Sequence, residues 1–291
     1  MMTTIFSENY LRQFELIDNS PLFDIEASSA CNEACFFCPR SEMRRTTNHM
    51  TRETMELLIG WLPDDATVMF SGLGESILNP LLPEFINRLK ERGIGSCLIT
   101  NGVLLDTQRV SSLVDAGIQE IQVSLHSLDE EEYQNITVRG GNLPQVTQNL
   151  HQLAGNYSGK IRLNVVNTGH DPKMLDELSS FASEIGAEYF ERRLHNRGGT
   201  IETAHVSVQD KGLCGIHAAV TFITSDGDIL SCVNDAGGHS TPGNIRDMSW
   251  EDAMLWKIHN LESGLSEFAA CLECNDEYRW TILKQRSVDH R

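Results

Sequence analysis

The chain has 291 residues, 40% of them hydrophobic, and 41 acidic against 23 basic side chains, a net charge of −18. That length fills one large domain, or a domain of about 200 residues with a small companion, and needs no disulfide staples. The charge opposes a nucleic-acid phosphate backbone or an anionic membrane surface, and no run approaches the ~18 apolar residues of a membrane span. Residues 1–20 are polar and mixed in charge, unlike a signal or transit peptide, so the expected location is the cytoplasm, where thiols stay reduced.

A strand-like run, Leu22-Phe23-Asp24-Ile25-Glu26, leads into Cys31-Asn32-Glu33-Ala34-Cys35-Phe36-Phe37-Cys38. Next, Met55, Leu58, Ile59 and Leu62 recur on one helical face, with Thr51 as N-cap. Val68–Phe70 reads as a buried strand ending in the loop Ser71-Gly72-Leu73-Gly74-Glu75. Asn79-Pro80 is expected to cap a helix with the stripe Leu82, Phe85, Ile86, Leu89, closed by Gly93. Residues 94–100 form the third strand, and Asp106 starts a helix with Val110, Leu113 and Val114 inward, ended by Gly117. Ile121, Val123 and Leu125 alternate with Gln122 and Ser124, the period of a strand. A short acidic segment at 129–133 opens a longer connection to a helix at 143–154. Ile161, Leu163 and Val165 make the fifth strand. Asp171-Pro172 caps a helix with Met174, Leu178, Phe181 and Ile185 inward, and 187–194 is the sixth strand.

Six β-then-α units predict an α/β fold: a partial (β/α)6 TIM-like barrel of parallel strands, two units short of closure. The site is expected at the C-terminal strand ends, where Cys31–Cys38, Gly72–Glu75, Thr100–Gly102, Ser124–His126 and Asn167 all fall. The alternation stops at Asn196-Arg197-Gly198-Gly199. The rest of the chain reads as an irregular stretch to Cys214, a hairpin over 220–232, a loop at 236–243 and a helix near 249–260. The expected divisions are an N-terminal segment (1–20), the barrel (21–199) and a small C-terminal domain with its tail (200–291). A small unit of that kind usually needs a metal staple.

The eight cysteines divide into Cys31, Cys35 and Cys38, then Cys97 alone, then Cys214, Cys232, Cys271 and Cys274. The first three, spaced C-x3-C-x2-C, cannot close a four-coordinate zinc site alone. They can hold three irons of a cubane cluster and leave the fourth iron open. The last four can surround one metal centre; the alternatives are a second cluster or a four-cysteine zinc site.

C-x3-C-x2-C with Phe37 before the last cysteine resembles the signature of the radical S-adenosylmethionine (SAM) superfamily. The resemblance implies that Cys31, Cys35 and Cys38 hold a [4Fe–4S] cluster whose open iron chelates SAM, and that SAM is cleaved to a 5′-deoxyadenosyl radical. It implies that Phe37 packs near the adenine and that Gly74 and Glu75 meet the methionine amino group. The loop resembles the family's Gly-Gly-Glu motif with Leu73 at its second position. Ser124 stands where the family contacts the SAM carboxylate or ribose, His126 where many members carry Asp, and Asn164, or alternatively Asn167, reaches the cofactor. The second half resembles the twitch domain, a short form of the SPASM domain, implying a second [4Fe–4S] cluster on Cys214, Cys232, Cys271 and Cys274. Gly243-Asn244-Ile245 and a Trp-bearing helix (Trp250, Trp256) fit that pattern.

Asn196-Arg197-Gly198-Gly199 resembles a segment of the 2-deoxy-scyllo-inosamine dehydrogenase family. This implies oxidation of an alcohol carbon in a small polar substrate such as an aminocyclitol or amino sugar. Arg197 would bind the substrate oxygen, the second cluster would accept an electron, and a flavodoxin- or ferredoxin-type protein would donate one. Two other chemistries fit the superfamily. One is modification of a ribosomal peptide, although only about twenty residues precede the first strand, too few for a peptide-recognition domain. The other is epimerisation with Cys97 as hydrogen donor; Cys97 shares a strand face with Ile99 and Asn101, and buried packing is its other reading. A non-enzymatic metal-binding protein is the remaining class, distinguished by iron and sulfide content.

Overall fold

The computed structural model describes residues 21–203, 214–265, 267–276 and 279. The irregular stretch expected before Cys214 therefore lies outside the described residues, as do residues 1–20.

Strands β1 (Leu22–Ile25), β2 (Thr67–Phe70), β3 (Gly95–Thr100), β4 (Glu120–Ser124), β5 (Lys160–Asn167) and β6 (Glu188–Arg193) are joined by helices. These are α1 (Arg52–Trp61), α2 (Leu82–Glu91), α3 (Thr107–Ala116), α4 (Glu130–Thr137), α5 (Leu143–Asn156) and α6 (Pro172–Glu184). Each pair of neighbouring strands from β1 to β6 is parallel, the arrangement that helical crossovers between strands produce. The fold is thus the mostly parallel α/β sheet expected from the alternation.

The helix signals act through ordinary chemistry. Thr51, Asp106 and Asp171 each accept a hydrogen bond from the backbone N–H three residues on, which satisfies a donor the helix leaves unpaired. Leu82, Phe85, Ile86 and Leu89 are all buried against the sheet. Three details differ from expectation. Asn79 lies two residues before the Leu81 N-cap of α2; its Oδ1 accepts the Leu81 N–H (2.9 Å) at the helix entry, while its buried Nδ2 also donates to the Ala27 and Met50 carbonyls (2.8 and 3.0 Å), tying in the loops after β1 and before α1. Val114 is 38% exposed, on the outer rim of the α3 stripe. The acidic segment at 129–133 is not a bare connection but the start of α4, N-capped by Asp129.

Beyond β6 come α7 (Gly215–Ala219), β7 (Val220–Ile223), β8 (Asp228–Leu230), β9 (Gly243–Asn244), α8 (Trp250–Glu262) and α9 (Ala269–Glu273). The hairpin β7–β8 was legible, but its position was not. β7 pairs in parallel with β1, so all the strands form one nine-stranded sheet in the order β6-β5-β4-β3-β2-β1-β7-β8-β9. No helix among the described residues is long and apolar enough to cross a membrane.

Candidate functional site

A cavity of about 330 Å³ opens at the C-terminal ends of the parallel strands. Its wall brings together Cys31, Cys35, Cys38, Phe37, Gly74, Glu75, Ser124, Asn164 and Arg197, residues spread over most of the barrel sequence.

The cysteine loop is held from two sides. From α4, the Ile136 and Thr137 carbonyls accept from the Phe36 and Ala34 N–H groups (3.0 and 3.2 Å), and Tyr133 Oη donates to Glu33 Oε1 (3.1 Å). From the β3 end, Asn101 Nδ2 donates to Asn32 Oδ1 (2.8 Å). Gly140, at φ +82°, lets the chain after α4 press onto the loop; a Cβ there would lie 1.9 Å from the Asn32 carbonyl oxygen. None of the cysteines is disulfide-bonded. Burial pushes the Cys31 thiol up to about 11 and raises Cys35 as well, so these sulfurs are poor free thiolates and need a metal cation to stay deprotonated.

Gly74 and Glu75 lock the next loop against the first. The Glu75 N–H donates to the Ala30 carbonyl (2.7 Å), and a Cβ on Gly74 would sit 2.0 Å from the Ser28 carbonyl oxygen, inside backbone that cannot move aside. The buried Glu75 carboxylate accepts from the Asn101 and Ile77 N–H groups (2.8 and 3.1 Å), bridging the β2 and β3 ends. Phe37 packs edge-on to His126, ring centroids 5.1 Å apart, and the Arg197 guanidinium lies 5.8 Å from the Phe37 ring centre. His126 is neutral: burial, then the nearby Arg197 charge, holds it down at about 3, and its Nδ1 accepts the Val166 N–H (3.1 Å).

Of the two candidate asparagines, Asn164 lines the cavity, with Nδ2 donating to Gln122 Oε1 (2.8 Å) and Oδ1 buried with no partner among the described residues. Asn167 does not line it; its Oδ1 caps the turn after β5, accepting the Gly169 and His170 N–H groups (3.0 Å each). Arg197, at φ +50°, also has a buried Nε with no partner among the described residues. Cys97 is fully buried and absent from the cavity wall; it packs with Leu22, Met69 and Val220 in a second apolar cluster.

Cys214, Cys271 and Cys274 share that second cluster. Burial raises Cys271, and the Cys232, Cys214 and Cys274 charges raise it further, so the four thiols are close enough to feel one another. Cys214 and Cys232 accept backbone N–H groups from His217 and Asn234 (3.5 and 3.4 Å). Among the described residues no three His, Cys, Asp or Glu side chains converge on one metal ion. A cubane cluster places each thiolate on a different iron, so its ligands need not converge in that way.

Sequence reading overlooked several cavity residues. Asp24 is buried, accepts from Ser71 Oγ (2.6 Å), and is pushed up to about 7 by burial. Its signal was a charged residue inside a buried strand. Asn234 is buried with neither end of its carboxamide partnered among the described residues. Arg192 and Arg279 also face the cavity and share Asp276. Asn234, Arg279 and Asp276 are joined to the site only by tertiary folding, so no local pattern announces them.

The fold and the site together define a parallel-sheet protein with a three-thiol centre at its strand ends. The Radical SAM superfamily model matches residues 25–182, and the chain belongs to that superfamily. Membership brings a [4Fe–4S] cluster and SAM, and makes the chain an enzyme of that family. GTP 3′,8-cyclase of Chlorobaculum tepidum is 34% identical over 146 residues, 49% of this chain and 43% of that protein. The chain spans about half the length of the curated relatives it matches. Among solved structures, BtrN in complex with AdoMet and 2-DOIA aligns with a TM-score of 0.59, 20% identity, 88% of this chain and 93% of that one. Streptococcus suis SuiB bound to precursor peptide SuiA aligns with a TM-score of 0.68, 18% identity, 95% of this chain and 73% of that one. These last two likenesses concern the fold alone.

Proposed function

We propose that the chain oxidises an alcohol carbon of a small polar substrate, such as an aminocyclitol or amino sugar, to a ketone. In this reading Cys31, Cys35 and Cys38 hold the SAM-binding [4Fe–4S] cluster, and Cys214, Cys232, Cys271 and Cys274 hold a second one in a twitch-type unit over residues 200–291. When bound, the first cluster and SAM supply a hydrogen-abstracting 5′-deoxyadenosyl radical, and the second cluster supplies an electron acceptor. A flavodoxin- or ferredoxin-type protein is the proposed electron donor.

The chain's own residues do the rest. Phe37 packs against the adenine, and Gly74, Glu75, Ser124 and Asn164 bind the methionine and ribose portions of SAM. Arg197 donates to the substrate oxygen, which suits a planar multi-donor group whose Nε has no partner among the described residues. Asp24, held near 7 by burial, is a carboxylate on the cavity wall able to take the hydroxyl proton. The chain's part in that two-electron oxidation would be to hold the substrate oxygen at Arg197 and take the hydroxyl proton at Asp24; the hydrogen atom and the remaining electron would be taken up by the chemistry the two bound centres supply.

The observation that carries this reading is the meeting, in one cavity, of three thiols with polar groups that have no partner among the described residues: Asn164 Oδ1, Arg197 Nε and the Asn234 carboxamide. Buried polar groups left unpaired are costly, so they mark where a polar ligand sits. This reading gives Cys97, buried off the cavity wall, no role. Peptide modification is the second reading, favoured by the alignment with peptide-bound SuiB over 95% of the chain.

The test is anaerobic turnover of the reconstituted protein with C–H-deuterated aminocyclitols and amino sugars. Deuterium should appear in 5′-deoxyadenosine together with a ketone product that has lost that deuterium and the hydroxyl hydrogen. SAM cleavage whose only product is a crosslinked peptide, or an epimer carrying solvent deuterium, would overturn the oxidation.

A further inference from the structure

We propose that Arg279 sets the reduction potential of the centre held by Cys214, Cys232, Cys271 and Cys274, through a hydrogen bond and a full positive charge at the Cys232 sulfur. This rests on the reading that those four thiols hold an iron–sulfur centre.

Arg279 is 4% exposed, and its Nη1 lies 2.8 Å from Cys232 Sγ. Its Nε donates to Asp276 Oδ2 (2.5 Å), which fixes the guanidinium plane and aims Nη1 at the sulfur. Asp276 is shared: Arg192 Nη2 donates to the same oxygen (2.5 Å), and His195 Nε2 lies 3.5 Å from it. Burial keeps His195 neutral, with its proton affinity held down at about 2. Arg279 thus brings its own positive charge to Cys232 Sγ while its Nε grips Asp276. An ion pair with Asp276 alone would explain Nε. It does not explain why the other arm of the fork meets a sulfur instead of a carbonyl or solvent. A guanidinium donates strongly to a thiolate and weakly to a neutral thiol, so the contact suits a metal-bound Cys232.

When the centre gains an electron, the added negative charge spreads onto its sulfurs. A donor and a positive charge at Cys232 Sγ favour that reduced form more than the oxidised one, and so raise the potential. A raised potential is what an acceptor of a substrate-derived electron needs. Arg279 acts through Cys232 and is a positioning residue in that sense. Asp276 acts with the opposite sign, because its negative charge opposes uptake of the electron.

The test uses the full chain carrying C31A, C35A and C38A, so that one centre is left. Iron and sulfide are counted after anaerobic reconstitution, and the midpoint potential is read by EPR in a dye-mediated titration. R279Q should make reduction at least tenfold less favourable, about 59 mV for a one-electron couple. D276N should shift the midpoint the other way, and R279K should fall between R279Q and the parent. If R279Q retains about four irons per chain and keeps the parent potential, the inference is wrong. It is also wrong if R279Q and D276N both lower the potential, the pattern of loosened structure. If R279Q fails to assemble the centre, D276N decides: a midpoint that does not rise overturns the inference. A parent that binds only zinc, or no iron and sulfide, fails at the earlier step and removes the second cluster itself.

Discussion

Gly74 and Asp24 show how single residues set this site. At Gly74 a methyl group would occupy the space of the Ser28 carbonyl and press on Ala30, backbone on both counts. We expect G74A to part the two loops, cost roughly 2 kcal/mol or more of stability, and weaken SAM binding in equilibrium dialysis while iron loading persists. Asp24 has its proton affinity raised from 3.8 to about 7, first by burial and then by the Glu26 charge, against the Ser71 hydrogen bond and the Arg279 charge. The native state therefore binds this proton more tightly than the unfolded chain does. Between about pH 4 and pH 7 the folded protein loses stability as pH rises, on the order of 2–4 kcal/mol from this group. In D24N that loss should vanish: urea unfolding of the metal-free protein at pH 5 and pH 8 should differ less than in the parent, with the variant more stable at pH 8. Turnover of D24N should fall if Asp24 takes the substrate proton, whereas unchanged turnover would leave Asp24 a buried structural group.

At the scale of elements, the part that went unread is the one bracing the cysteine loop. The periodic helices were legible because each shows an apolar stripe behind a side-chain cap. α4 hid its stripe: Glu130, Glu131 and Glu132 fill its first turn, and only Tyr133, Ile136 and Thr137 are buried. The C-x3-C-x2-C spacing was visible from eight residues, but its support from Tyr133 and the Ile136 and Thr137 carbonyls comes from a hundred residues along the chain and has no local signature. The same limit applies to Arg279 and Asp276, and to β7, whose hairpin partner is local while its parallel partner β1 is not. Asp129 accepts the Glu132 N–H (2.8 Å) as the α4 N-cap. D129A should cost about 1 kcal/mol. Because α4 braces the loop, the same change should speed iron loss from the Cys31–Cys38 centre to a chelator, read against the unchanged, proposed Cys214–Cys274 centre. Equal loss from both centres would separate α4 from the loop's stability.

Across the whole molecule, β1 is the strand that joins the two halves, because it pairs with β2 on one side and β7 on the other over the same four residues. The barrel and the C-terminal unit therefore share a sheet and part of a core. Phe23 meets Trp61 and Trp250 at 5.9 and 5.1 Å between ring centroids, and Trp61 Nε1 donates to the Met248 carbonyl (2.7 Å). Ser225, after β7, donates to Glu26 (3.2 Å), which is also ion-paired with Arg45 and accepts the Leu73 N–H. A cut at residue 199 would expose the hydrogen-bonding edge of β1 and strand its apolar neighbours, the condition that invites edge-to-edge aggregation. The full chain should unfold in one step, with far-ultraviolet circular dichroism and tryptophan fluorescence tracing the same transition. A chain ending at 199 should be insoluble or lack cooperative unfolding. Two separated transitions in the full chain, together with a soluble, cooperative fragment, would show that the units fold independently. The spacing between the two cysteine centres would then rest on a linker. A single transition ties that spacing to the β1–β7 ladder and makes the route of the proposed electron transfer a property of the sheet.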